Sequence, residues 1–307
     1  MCIRDRRYRS PLGLWTRQLD QPAQTEVKVY PDVQAVRTFE LLARQDRESS
    51  MFRSSRRRGG ESEFARLREY RREDEFRSID WKATARRQKL IAREYQLESN
   101  QSILFLLDAG RLMTAETVGL SLFDHALNAT LMLSHVAARA GDHVGLMTFA
   151  DDVKRYAAPA GGARAAKRII QAGYDLHPEL VETSYAAAFE QLGLRVRKRT
   201  LVVLFTQVVD EVAANELVRM TRGALPRHLP LIVLFRDPDV SAMLESKSPL
   251  EQDDLYVRGA AAELSTFRER LLRDVSRRGA LVLDVAPGDV TPALINRYLE
   301  IKARHLL

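Results

Sequence analysis

A single cysteine, Cys2, stands in this chain of 307 residues, so no intrachain disulfide can form and no cysteine-based metal site can be assembled. No apolar run approaches the roughly 18 residues that span a bilayer, and the arginines of residues 1–9 are not followed by the apolar stretch of a secretory signal. A soluble, cytoplasmic chain is the expectation. Enzyme signatures are missing too: there is no hydrolase elbow, phosphate loop, zinc-binding helix or dinucleotide fingerprint. Gly161-Gly162-Ala163 lacks the lysine and hydroxyl residue of a phosphate loop. The histidines His125, His135, His143, His177, His228 and His305 have no metal-ligand spacing. His125 and His135 read as packed or hydrogen-bonded members of an apolar helix, and Asp151-Asp152 as a turn after a strand. These absences argue for a non-catalytic protein with no small-molecule substrate.

What is present is an ample core, with 45% apolar residues, and a formal charge of +7. That excess lies in one place, because residues 53–93 carry 14 Lys/Arg against 7 Asp/Glu and the remainder balances. Such a block can meet an acidic protein surface, nucleic acid or anionic lipid, or it can pair with its own acids. Phe64, Tyr70, Phe76, Trp81 and Tyr95 interleave the arginines, the pattern of a nucleic-acid surface, which is the alternative reading. The interspersed acids weigh against it.

Three regions separate by pattern. Residues 26–30 alternate as a short strand and 33–44 as a helix, whereas residues 49–62 mix Ser, Gly and Arg without periodicity and read as a flexible linker. From residue 102 the character changes. The apolar run 103–107 ends at Asp108 as a strand buried on both faces does, and further strands are expected at 144–149, 200–205, 229–235 and 280–285. Helices at 117–139, 164–173, 185–194, 213–222, 264–277 and from 291 lie between and after them. Strands alternating with helices predict a doubly wound, mostly parallel α/β sheet, Rossmann-type in its layers, preceded by a small irregular β/α segment. The segment 88–97 is expected to add a strand running into this domain.

In such a sheet, ligands bind at the carboxyl ends of the strands. The places to examine are Asp108-Ala109-Gly110-Arg111-Leu112, Glu182-Thr183-Ser184-Tyr185 and Thr206-Gln207. Their order and spacing resemble a von Willebrand factor A domain, whose adhesion site takes Asp-x-Ser-x-Ser after the first strand, a Thr in a middle loop and an Asp after the fourth strand. The resemblance implies Mg²⁺ held by oxygens. Here Asp108 and Thr183 match, whereas Gly110 and Leu112 stand for the serines and Gln207 for the second aspartate. One carboxylate and one hydroxyl hold Mg²⁺ poorly, so the site reads as degenerate and no cofactor is expected. Arg111 is expected to pair with Asp108 in place of the ion.

A denser resemblance covers Glu63-Phe64-Ala65-Arg66-Leu67-Arg68-Glu69-Tyr70, Arg77-Ser78-Ile79-Asp80-Trp81-Lys82-Ala83-Thr84-Ala85-Arg86 and Leu90-Ile91-Ala92-Arg93-Glu94-Tyr95. It is similar to the bacterial family known as domain of unknown function 58, in which this segment precedes a von Willebrand factor A-like domain. On that basis residues 1–48 are the remnant of an upstream β-rich region in an N-terminally truncated member, 63–99 a basic signature segment packing on the main domain, and 100–307 that domain. The resemblance implies a protein-interaction or adaptor module working with a MoxR-type AAA+ ATPase in chaperone-like remodelling or complex maturation. It also implies that the intact protein is anchored at the inner membrane through absent upstream segments. Arg66, Arg68, Arg71 and Arg111 are the candidate partner contacts. Asp80 and Trp81 are expected to brace the segment, with Ile79 and Phe76 as further apolar anchors.

Overall fold

A computed structural model describes residues 3–22, 63–70, 76, 79–96, 101–117, 119–173, 175–245, 252–304 and 306–307. The strand and helix expected at 26–30 and 33–44, the linker 49–62 and Arg71 lie outside the described residues. The first unit of the chain, Met1–Pro31, contains an antiparallel hairpin of β1 (Ile3–Arg9) and β2 (Thr16–Pro22).

The second unit, Asp32–Leu307, contains a separate ribbon of β3 (Glu63–Glu69) and β4 (Ile91–Gln96), with helix α1 (Trp81–Arg87) between them in sequence. A strand does form within 88–97, but it pairs antiparallel with β3 and not with the main sheet. Asp80 starts α1 by accepting the Ala83 N–H at 2.9 Å.

The main sheet has six strands: β5 (Ser102–Asp108), β8 (His143–Phe149), β9 (Val153–Ala160), β10 (Leu201–Thr206), β11 (Leu229–Phe235) and β12 (Leu281–Val285). A small hairpin of β6 (Glu116–Thr117) and β7 (Leu120–Ser121) stands apart from it. The order across the sheet is β12-β11-β10-β5-β8-β9, parallel except for β9, which runs antiparallel at the edge. The fold is therefore the doubly wound, mostly parallel α/β arrangement that the alternating pattern predicts.

Side-chain alternation distributes each strand over two cores. Ile103, Phe105 and Leu107 face one side with Leu201, Val203 and Phe205, covered by α2 (Leu122–Arg139), α3 (Ala163–Gly173) and α8 (Val290–Ala303). Leu104 and Leu106 face the other with Val202 and Leu204, covered by α4 (Tyr185–Arg195), α5 (Glu211–Ala224) and α7 (Gln252–Arg277). A further helix, α6 (Pro238–Glu245), follows β11.

Polar caps set the helix starts. Ser121 and Asp124 form a reciprocal capping box at α2, so that helix begins at Leu122 and Thr117, where it was expected to start, lies in β6. Ser184 caps α4 and Asp210 caps α5. At the sheet edge, a side chain on Gly145 would have its Cβ 2.7 Å from the Pro159 nitrogen, so glycine permits the close approach of β9 at its bulge.

Candidate functional site

The carboxyl ends of β5 and β10 lie side by side, because Phe205 pairs with Leu107 and the next residues are Thr206 and Asp108. Asp108 is fully buried. Its Oδ1 accepts the Gly110 N–H at 2.8 Å and the Thr183 hydroxyl at 2.7 Å, and its Oδ2 accepts the Thr206 hydroxyl at 2.6 Å. Since Thr206 gives its one proton to the carboxylate, the Tyr185 hydroxyl, 2.7 Å away, donates to Thr206. The result is a relay of hydroxyls, Tyr185 to Thr206 to Asp108, ending on a carboxylate with three donors around it.

Burial raises the Asp108 carboxyl above its ordinary range, opposed by the hydrogen bonds from Thr206, Gly110 and Thr183. Tyr185 is completely buried, and burial, together with the nearby Asp108 charge, raises its hydroxyl well above the usual value, so it stays protonated as a donor.

The loop carrying Thr183 is fixed by the backbone. Glu179 N–H donates to Ala109 C=O at 2.7 Å, Arg111 N–H to Val181 C=O at 2.9 Å and Ser184 N–H to Ala150 C=O at 2.8 Å. Glu216 reaches from α5 to accept the Ala186 N–H at 3.0 Å, a second acceptor at the start of α4. The loop tip leaves Leu180 84% exposed, and Val212 at the start of α5 is 81% exposed. The loops at this edge thus expose Leu180 and Val212 among charged residues, Arg111, Glu182 and Glu211.

The structure brings Asp108, Gly110 and Thr183 together but assigns them a different relation from that of an ion site. A Cβ on Gly110 would fall 2.1 Å from the Thr183 Oγ1, so the serine of the adhesion motif has no room while Thr183 bonds to Asp108. Leu112 is half-buried in the short 3₁₀ turn Arg111–Thr114. Gln207 is half-buried, and its Oε1 is buried with no hydrogen-bond partner among the described residues. The donor set does not fit Mg²⁺, which needs near-octahedral oxygen ligands: the only carboxylate of the cluster is enclosed by donor protons.

Arg111 corrects one expectation. Its Nε lies 2.8 Å from the Glu182 Oε1, with the two side chains 50% and 77% exposed, so it forms a surface pair and does not neutralise Asp108. Hydroxyls do that in its place. Trp81 corrects another, since it is 58% exposed and packs edge-to-face with Phe76, itself 71% exposed. Ile79, Ile91 and Ala92 are the residues of that segment that are buried among those described. Arg66 and Arg68 lie on β3, opposite Glu94 and Ala92 in register. Among the other residues singled out, His125 Nε2 lies 3.2 Å from the Thr117 carbonyl oxygen, and Asp151 pairs with Lys154 at 2.8 Å.

Thr206 and Tyr185 fell within the stretches marked for attention in the sequence but were given no role there. For Thr206 a signal was available, because the apolar runs of β5 and β10 each end in a polar residue.

Comparisons with known proteins agree in part. The family model described as Protein of unknown function DUF58 matches residues 66–244. Among solved structures, the SpRpn10 VWA domain is 12% identical and covers 63% of this chain and 93% of its own, with a TM-score of 0.40. An aerotolerance-related membrane protein from Bacteroides fragilis NCTC 9343 is 14% identical over 65% of this chain and 98% of its own, with a TM-score of 0.43. Conserved hypothetical protein BatB from Bacteroides thetaiotaomicron is 15% identical over 66% and 99%, also with a TM-score of 0.43. No curated protein matches the chain.

Proposed function

The chain belongs to the family described as Protein of unknown function DUF58, and from that premise we propose that it is a non-catalytic adaptor that holds a protein partner at the carboxyl edge of its sheet without a shared metal ion. The observation that carries this reading is the hydrogen-bonded closure of Asp108 by Gly110, Thr183 and Thr206. A carboxylate satisfied by its own fold offers no open coordination position for a partner's acid. What the edge offers instead is Leu180 and Val212 in solvent, beside the Arg111–Glu182 pair. Exposed apolar side chains rimmed by charge suit a protein interface.

The partner class is a MoxR-type AAA+ ATPase, with chaperone-like remodelling or complex maturation as the joint task, and Arg66, Arg68 and Arg71 as a second contact region. Among the described residues no helix is long and apolar enough to cross a membrane.

The test is capture of a purified MoxR-type ATPase, held in its ATP state by a non-hydrolysable analogue, on the immobilised full chain. Wild type retains it, and the double substitution Leu180→Asp with Val212→Asp weakens retention by about tenfold or more, as loss of apolar anchors does. Equal retention by both proteins excludes the edge as the docking surface; no retention by either excludes this partner class.

A further inference from the structure

The hairpin of β1 and β2 sorts its side chains along its length. Its turn, residues 10–15, reads Ser-Pro-Leu-Gly-Leu-Trp, and Leu12 and Leu14 are 83% and 81% exposed. Trp15 and Tyr8 are exposed as well and meet edge to face, with ring centroids 6.3 Å apart. Four bulky side chains thus hold apolar surface in solvent at one end of the ribbon. Directly behind them come the exposed Arg7, Arg9 and Arg17, with Tyr8 paired in register to Arg17 and Arg9 to Thr16. None of the three arginines forms an ion pair among the described residues. No Asp or Glu lies between residues 6 and 19, and the nearest acids, Asp5 and Asp20, pair in register toward the far end. The order is apolar tip, cationic collar, acids last.

The turn is also set before anything binds to it. Ser10 N–H donates to Trp15 C=O at 3.0 Å, Gly13 N–H to Ser10 C=O at 2.8 Å and Leu14 N–H to Ser10 Oγ at 3.2 Å. Pro11 has no N–H to leave unpaired, and Gly13 takes a left-handed φ of +71°. Backbone paired within the turn lowers the cost of entering an apolar phase.

We propose that this hairpin docks the chain on an anionic phospholipid bilayer, with Leu12 and Leu14 in the acyl boundary, Trp15 and Tyr8 at the interface and Arg7, Arg9 and Arg17 on the lipid phosphates. Amphipathic rings sit at headgroup level in membrane proteins, and cations beside an anionic surface each add to the attraction. At about 3.3 Å of rise per residue the three arginines lie within about 10 Å of the turn, the depth to which interfacial elements are buried. The leucines favour lipid over nucleic acid, because an aliphatic tip gives a base no face to stack on. The hairpin belongs to the first unit of the chain, so this docking does not rest on the adaptor reading of the sheet edge.

The experiment mixes the full chain at low salt with large vesicles of phosphatidylglycerol and phosphatidylcholine in equal parts, or of phosphatidylcholine alone, and measures the bound fraction by sedimentation. The chain binds the anionic vesicles about tenfold more tightly or better. Brominated phosphatidylcholine in those vesicles quenches tryptophan fluorescence, and Trp15→Phe, which leaves Trp81 as the other tryptophan, removes the quenching. Leu12→Asp with Leu14→Asp, at positions already in solvent, weakens binding by about tenfold or more. Absence of vesicle binding overturns the proposal, as do equal binding to the two vesicle types, undiminished binding by the double variant, or quenching that persists in Trp15→Phe. A double variant that loses affinity for single-stranded oligothymidylate while keeping its vesicle binding assigns the tip to nucleic acid and overturns it too.

Discussion

Asp108 shows how one residue's environment decides what it can do. Asp108→Ala leaves the Gly110 N–H and the Thr183 and Thr206 hydroxyls facing a cavity, and at about 1–3 kcal/mol for each orphaned donor the loss is about 3 kcal/mol or more. Asp108→Asn keeps the shape, because its oxygen accepts from Gly110 and Thr183 while its amide donates to Thr206, and it is expected to lose less than half as much. Denaturant unfolding of the three proteins checks the order. The pH dependence has a definite sign: burial raises this carboxyl in the folded state, so the stability tied to its protonated form is present below about pH 3.9 and is lost as pH rises through the folded value. Wild type therefore falls relative to Asp108→Asn as the pH rises above the ordinary carboxyl range, and a gap constant with pH contradicts the buried carboxylate. Asp108 and Thr183 were legible in the sequence from motif spacing. Their mutual hydrogen bond was not, because motif spacing gives the order of ligands and says nothing of whether a hydroxyl turns toward the metal or toward the carboxylate. The same limit applies to Arg111, whose choice of Glu182 over Asp108 follows from loop geometry fixed by the Val181 and Ala109 backbone bonds.

Elements were legible where burial imposes a period and were lost where it does not. The four apolar strands β5, β8, β10 and β11 stand where the sequence places them, since continuous apolar runs serve a sheet covered on both faces. Strand β9 went unread. It is a half-exposed edge strand containing Pro159, a residue that signals against a strand and is tolerated only at an edge. Helix α7 was expected from residue 264 and begins at Gln252. Its packed part carries the buried Leu271 and Val275, whereas Leu255, Tyr256 and Val257 at its start are exposed, so the apolar stripe fades before the helix does. Helix α4 supplies a prediction at this scale. Gly193→Ala adds a methyl group where nothing lies within 4 Å and removes an interior glycine, so it stabilises the chain by about 0.5–1 kcal/mol in thermal or denaturant unfolding. Destabilisation would mean that the glycine is required for folding.

Over the whole molecule, polar ties join parts of the chain far apart in sequence. Asp142, fully buried before β8, accepts from Lys302 at 2.8 Å and from the Tyr298 hydroxyl, both on α8, and from the Gln101 N–H at 3.3 Å. Removing one partner of such a buried pair strands the others, so Asp142→Ala is expected to cost about 3 kcal/mol in denaturant unfolding, whereas a loss under about 1 kcal/mol would mark the tie as incidental. The layered fold was legible from the strand and helix order, but no local pattern announces a bond between residues 142 and 302. The charge excess of residues 53–93 was equally plain, and the ribbon of β3 and β4, which overlaps it, pairs internally and not with the main sheet. The carboxyl edge itself is a hydrogen-bond cluster closed around Asp108, beside exposed Leu180 and Val212. Calorimetric titration of the full chain with Mg²⁺ and then Mn²⁺ tests it most directly. The account predicts no saturable heat with either ion, and saturable binding at micromolar metal that Asp108→Asn abolishes would contradict it.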